Sequence, residues 1–174
     1  MRQAALNFRN LLLLGALLLS ACGFHLRGLD SLPFNSLHLQ DSGAATLARE
    51  VQLSLKSYGV AVLSSPDGAE GSLELMSEHS EKLILSLSGN GRVREYQLIF
   101  RAVFRIKTAG EALWGEPQTI EQRRDYTFND AQTLAKEAEE ARLYKDMRAD
   151  VVREIMRRVS ALSKQRPASN ETAR

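Results

Sequence analysis

The sequence predicts an α/β fold, a two-layer sandwich in which a mixed sheet of about four strands carries two helices on one face. Three observations carry that expectation. A two-residue hydrophobic period holds from residue 96 to residue 106. Residues 47–58 and 143–162 repeat apolar side chains at the spacing of one helix face. The first of these helices lies between two short apolar runs, and a strand–helix–strand order with short links makes its strands parallel.

The first 21 residues read as a secretory signal peptide rather than as part of the fold. Arg2 and Arg9 form a basic front, and residues 11–19 are apolar apart from Gly15 and Ala16, themselves small. That run of about nine residues is well short of the roughly 20 needed to span a bilayer. Leu19-Ser20-Ala21-Cys22 then fits the bacterial lipobox, with small residues at the cut and a thiol that takes a diacylglycerol by thioether linkage. Cys22 is the only cysteine in the 174 residues, so the mature domain is expected to hold no disulfide and to rely on its core. Acylation with two or more chains gives a stable anchor. Gly23, in place of an Asp that would favour retention at the inner membrane, favours the periplasmic face of the outer membrane.

Removal of the signal leaves 153 residues, enough for one domain with a real core. The signal carries two of the 23 basic residues and none of the 21 acidic ones, so the mature chain is formally neutral. A nucleic-acid-binding function has no compositional support.

Residues 22–35, with Gly23, Gly28 and Pro33, read as the lipidated N-terminus and tether, residues 36–163 as a single domain, and residues 164–174 as a polar disordered tail. Leu37 and Leu39 alternate with polar neighbours in a first short strand. Asp41-Ser42-Gly43 is a turn or N-cap signal. Leu47, Val51, Leu55 and Tyr58 follow at helical spacing until Gly59 stops the helix, and residues 60–63 make the second strand. Leu73, Leu75, Leu83, Leu85 and Leu87 share one parity, as do Tyr96, Leu98, Phe100, Ala102, Phe104 and Ile106, so each run is expected to bury one face. Gly89-Asn90-Gly91 joins the two runs as a hairpin turn. The polar residues 77–82 interrupt the first arm and suggest a bend or bulge. A weaker strand over residues 113–128 has Ile120, Tyr126 and Phe128 in register, with Pro117 marking an edge or bulge near its start. Asn129-Asp130 caps a helix running to about residue 163, with Leu143, Met147, Val151, Ile155, Val159 and Leu162 as its buried stripe. Acidic Glu137, Glu139 and Glu140 lie early, basic Arg153, Arg157, Arg158 and Lys164 late, which suits the helix dipole.

Nothing in the pattern points to catalysis. His25, His38 and His79 are far apart and in no metal-ligand spacing, there is no nucleophile elbow, and the glycine turn is too short for a phosphate loop. No enzyme activity, cofactor or metal is expected.

Several pieces together resemble a known family. They are Cys22-Gly23-Phe24-His25-Leu26-Arg27-Gly28, the glycine hairpin followed by Glu95-Tyr96-Gln97-Leu98, Arg124-Asp125-Tyr126 with Asn129-Asp130, and the helix opening Leu134-Ala135-Lys136-Glu137. In this order and spacing, over roughly residues 22–163, the chain resembles the LPS-assembly lipoprotein family, LptE. The resemblance implies a non-enzymatic outer-membrane lipoprotein that plugs the large β-barrel LptD, assists its assembly and binds lipopolysaccharide during transport to the cell surface. It also implies that basic residues near the central hairpin and at the start of the long helix meet the lipid. The helix position falls on Lys136. At the hairpin, Ser88 and Gly89 stand where relatives can carry a basic residue, and Arg92 and Arg94 follow the turn instead.

Lipid phosphates are natural partners of Arg, which gives two-pronged contacts, and of Lys, which acts as a point charge. Arg92, Arg94 and Lys136 are the first candidates for lipopolysaccharide binding, with Arg123 and Arg124 next. The same residues are also compatible with solvated surface charge, paired with Glu95 or Glu140. The polar strand face of Gln97, Arg101, Arg105 and Lys107 suits either a barrel lumen or water. An alternative assignment is a lipoprotein that scaffolds another envelope complex and binds no lipopolysaccharide.

Overall fold

In the computed structural model, which describes Leu32 and residues 34–162, β1 (Ser36–Asp41) and β2 (Ala61–Leu63) lie side by side and parallel, joined through α1 (Ala45–Ser57). The readings made on the signal peptide, on Cys22, on most of the tether and on the tail lie outside the described residues. Asp41 closes the turn into α1, its Oδ1 accepting the N–H groups of Gly43 and Ala44 at 3.0 and 2.7 Å. Leu47, Val51 and Leu55 are fully buried, while Tyr58 is exposed at the C-cap.

β3 (Gly71–Leu87) runs parallel to β1, and β4 (Val93–Thr108) and β5 (Gln118–Thr127) follow antiparallel, giving the order β2-β1-β3-β4-β5. The sheet has five strands against an expected count of about four, with the expected second strand, β2, forming a three-residue edge. The last strand starts later than its apolar residues suggest. Gly115 N–H turns back to the Ile106 carbonyl at 2.9 Å, Pro117 has no N–H to pair, and Leu113 ahead of them is exposed. Asn129 caps a 3-10 turn (Asp130–Gln132), its side chain accepting the Ala131 N–H, and α2 (Thr133–Leu162) begins after it.

Both helices cover one face of the sheet and pack against each other. From the sheet the core takes Leu37, Leu73, Leu75, Leu98, Phe100, Ala102, Phe104, Ile106, Ile120 and Tyr126. From α2 it takes Met147, Val151, Val152, Ile155, Met156 and Val159. Each such side chain contributes about 1.5–3 kcal/mol relative to exposure. Leu32 and Phe34, just ahead of β1, are buried with them.

One expectation fails in β3. Leu83, Leu85 and Leu87 share sequence parity with buried Leu73 and Leu75, yet all three are exposed. The register against β4 shifts by one between Leu75 and Ser77, leaving Met76 as an extra residue. Such a bulge moves the side chains that follow it, here through Ile84, to the opposite face. Beyond it, Glu78, Ser80 and Lys82 lie opposite Ala102, Phe100 and Leu98 on the helix side, while Leu83 lies opposite Gln97. Gly43 packs onto the bulge at φ +154°, where a Cβ would come within 2.9 Å of the Met76 carbonyl oxygen. The lower half of the sheet is thus an apolar core, and the upper half carries polar side chains under the first half of α2.

Candidate functional site

The upper end of the sheet is organised around Lys82. The bulge brings this lysine beneath α2, where its Nζ meets Glu140 Oε2 at 2.5 Å. The Tyr126 hydroxyl donates to the same oxygen at 2.7 Å. The Lys82 ammonium also lies 4.1 Å from the centre of the Tyr96 ring, an attractive placement for a cation over an aromatic face. Tyr96 stacks on Tyr126 at 5.8 Å and meets Phe128 edge-on at 5.3 Å. Tyr144, one helical turn beyond Glu140, donates its hydroxyl to the Glu81 carbonyl at 2.8 Å.

Electrostatics follow from that geometry. Burial works against a charge on Lys82, but its hydrogen bonds to Glu140 and Tyr126 outweigh it and hold the ammonium pKa above the usual lysine value. Burial would raise the pKa of Glu140, and its bonds to Lys82 and Tyr126 bring it below the usual carboxylate range instead. Burial, with Glu140 as acceptor, pushes the Tyr126 hydroxyl up. The cluster is therefore a charged pair at neutral pH, held between strand and helix.

Beside it a groove of about 350 Å³ opens, lined by Arg94, Glu95, Thr127, Phe128, Asn129, Gln132 and Lys136. Arg94 and Lys136 come to it from the hairpin and from the start of α2. The Phe128 N–H bonds the Arg94 carbonyl at 2.7 Å and so ties the end of β5 to the hairpin. Lys136 Nζ reaches Glu139 at 2.8 Å and Thr127 Oγ1 at 3.4 Å. Only 16% of its side chain is exposed, so the ammonium is held in place rather than free in solvent.

Arg92 stands at the hairpin tip, exposed, with Asp130 at 3.6 Å. Such an exposed pair is worth about 0–1 kcal/mol and is readily exchanged. Gly91, at φ +78°, closes the turn that presents it, with its N–H on the Ser88 carbonyl at 2.9 Å. Among the described residues Arg94 has no ion-pair partner. Glu95 brings a negative charge to the groove, and its carboxylate takes the Ser86 hydroxyl at 2.6 Å. Arg123 and Arg124 are placed elsewhere, bound to Glu121 at 2.6 Å and to Asp150 at 2.7 Å.

The structure thus brings Arg94 and Lys136 to one groove with Arg92 beside it, and leaves Arg123 and Arg124 out. Sequence reasoning missed Lys82, Tyr96, Tyr126, Phe128 and Glu140 as one cluster. The signal that could have found it was the polar stretch 77–82, once read as a change of face rather than as a break. Chemically the arrangement suits an anion, since two-pronged and point-charge donors converge at a rim with aromatic support. Among the described residues no helix is long and apolar enough to cross a membrane, which leaves strands aside.

Comparisons with known proteins agree in sequence and in fold. A family described as "LptE: Lipopolysaccharide-assembly" matches residues 34–159. The chain is 25% identical over 161 residues to the LPS-assembly lipoprotein LptE of Pectobacterium atrosepticum, covering 90% of this chain and 86% of that one. The solution structure of lipoprotein B from Nitrosomonas europaea is similar with a TM-score of 0.71 and 37% identity, over 82% of this chain and 94% of that one. The crystal structure of rare lipoprotein B from Shewanella oneidensis gives 0.68 and 30%, over 75% of this chain and 97% of that one. With the match spanning both helices and all five strands, this chain belongs to the LptE lipopolysaccharide-assembly family.

Proposed function

We propose that the protein is an outer-membrane lipoprotein, anchored through acylated Cys22 on the periplasmic face, that plugs the LptD β-barrel, assists its assembly and binds lipopolysaccharide on its way to the cell surface. In this reading residues 1–21 are removed as a signal, residues 22–35 carry the lipid and tether, and the domain acts without catalysis or cofactor. One observation carries the lipid-binding part: Arg94 and Lys136 line one groove with exposed Arg92 next to it. The phosphates of the lipid bind to these three cations. Support for the rest comes from family membership and from the lipobox. A polar outer sheet face suits a protein lodged in a polar barrel lumen.

The test has two arms. A C-terminally tagged chain is captured in detergent, and its companions are identified by mass spectrometry. A stoichiometric large outer-membrane barrel recognisable as LptD supports the plug, and a different envelope complex overturns it in favour of a scaffold role. Lipopolysaccharide titration of an Arg92→Ala/Arg94→Ala/Lys136→Ala variant then tests the site. A large loss of affinity in a protein that still folds supports it, and unchanged affinity removes it.

A further inference from the structure

The groove of Arg94 and Lys136 is assembled from three pieces of chain. The hairpin arm gives Arg94 and Glu95, the end of β5 gives Thr127 and Phe128, and the start of α2 with the turn before it gives Gln132 and Lys136. Two of these pieces are tied by backbone, through the Phe128 N–H on the Arg94 carbonyl at 2.7 Å. The helix is held differently. From Thr133 to Glu140 every residue of α2 is exposed except Lys136 and Glu140, so its first two turns rest on the sheet through these two side chains. Lys136 contributes little of that hold. It reaches Thr127 Oγ1 only at 3.4 Å, and its closer partner, Glu139 at 2.8 Å, belongs to its own helix.

Glu140 supplies the rest. It lies four residues after Lys136 and hence on the same helix face, where its carboxylate takes the Lys82 ammonium at 2.5 Å and the Tyr126 hydroxyl at 2.7 Å. Fixing Glu140 fixes the rotation of α2 about its axis at this turn, and with it the direction in which Lys136 projects. Lys82 also stands against the other two pieces. Its Nζ lies 4.1 Å from the centre of the Tyr96 ring and 6.0 Å from that of Phe128. Tyr96 directly follows Glu95, and Phe128 is in the groove wall. One ammonium thus faces a residue from each of the three pieces, although neither Lys82 nor Glu140 lines the groove.

We propose that Lys82 is the positioning residue of the anion groove: by holding Glu140 beside Tyr96 and Tyr126 it fixes Lys136 relative to Arg94, and a lipid carrying two phosphates at a set spacing is bound through that fixed separation. The inference rests on the lipopolysaccharide binding proposed above, and adds what prepares the site and which feature of the ligand it reads. Cations held in place beforehand lose less freedom on binding. A ligand with one phosphate gains little from their separation, because it engages one of them at a time.

The test titrates lipid A and its monophosphoryl form against the full chain in phosphatidylcholine nanodiscs, by displacement of fluorescently labelled lipopolysaccharide. Lys82→Met is expected to bind lipid A about fivefold more weakly and the monophosphoryl form nearly as the wild type does, so the ratio between the two falls. Lys82→Arg, which keeps a cation on Glu140 and over the Tyr96 ring, is expected to restore the ratio. Glu140→Ala separates positioning from simple charge. It leaves the region more positive, yet it is expected to weaken lipid A binding. Tyr126→Phe, which drops one hydrogen bond and keeps the ring, takes the place of Lys82→Met if that variant does not fold. Unchanged lipid A affinity in Lys82→Met, or in its substitute, overturns the inference. Tighter binding by Glu140→Ala overturns it as well, since it would make Lys82 a direct partner of the phosphate. An equal loss for both ligands is the mark of general destabilisation and also overturns it. Each of these results leaves Arg94 and Lys136 as partners of the lipid, whereas absence of binding by the wild type removes the underlying reading along with this one.

Discussion

Lys82 Nζ and Glu140 Oε2 meet at 2.5 Å, one from the strand beyond the bulge and one from the second turn of α2. No fully buried apolar side chain of α2 precedes Met147 among the described residues, so this pair, with Tyr126 and the half-buried Leu143 and Tyr144, fastens the first half of the helix to the sheet. Lys136 sits one turn earlier on the same helix, and its position follows from that attachment.

Replacing Lys82 by Met is therefore expected to loosen residues 133–141 more than the domain as a whole. The pair is partly solvent-screened, so global stability should fall by only about 1 kcal/mol. Hydrogen exchange should rise selectively over the start of α2. Uniform exchange along the whole helix would contradict this account. A Lys82→Met/Glu140→Gln double variant should be less affected than the sum of the singles, because neither partner is then left unpaired.

Gly43 offers a sharper stability test. Its positive φ and the 2.9 Å approach to the Met76 carbonyl make Gly43→Ala strained on two grounds. A loss of about 1–3 kcal/mol in urea unfolding is expected. Gly89, with nothing within 4 Å of a built Cβ, provides the control, and Gly89→Ala should leave the unfolding midpoint nearly unchanged.

Acid should weaken the fold through two carboxylates. Glu74 is buried, and the Ser42 hydroxyl at 2.7 Å, opposed by burial but joined by Arg105 at 2.5 Å, holds its pKa below the usual range. Glu140 is shifted the same way. A carboxylate with a depressed folded pKa contributes stability that is present above its unfolded value and is lost as pH falls through the folded one. Stability should thus be flat near neutral pH and decline as pH falls below the ordinary carboxylate range. Glu74→Gln should be less stable at neutral pH and show a shallower decline on acidification.

Among the three cations, Lys136 should matter most for lipid. It is held by its neighbours, so it loses little side-chain freedom on binding, whereas Arg92 is exposed and free to move. Lys136→Ala is expected to weaken lipopolysaccharide binding by about tenfold, the effect of one charge-assisted hydrogen bond, and Arg92→Ala by less. Affinity measured against salt should fall more steeply for wild type than for Lys136→Ala.

Much of the fold was legible from residue order. The parallel strand–helix–strand unit followed from the stripe of Leu47, Val51 and Leu55 between two apolar runs, and β4 from its unbroken period. In the upper half of β3 the polar residues 77–82 signalled a bend or bulge, and the register shift at Met76 bears that out; its effect on the faces was not legible, because parity counting assumes a regular strand. The same error hid Lys82 from the site. Arg94 and Lys136 were legible only as basic residues, since the groove joining them depends on β5 ending beside the hairpin at Phe128 and Arg94.

The bulge at Met76 makes this molecule sensitive to a kind of change that substitution scans do not sample. Paired regularly through Met76, the same residues would place Leu83, Leu85 and Leu87 beneath α2 and turn Glu78, Ser80 and Lys82 outward. Deleting Met76 would remove the step in the strand and leave those faces as they are, whereas inserting one residue after Ser77 would reverse them. Lys82 would then leave Glu140 and the Tyr96 ring in one step. The length of β3 is thus as much a determinant of the upper surface as the identity of any residue on it.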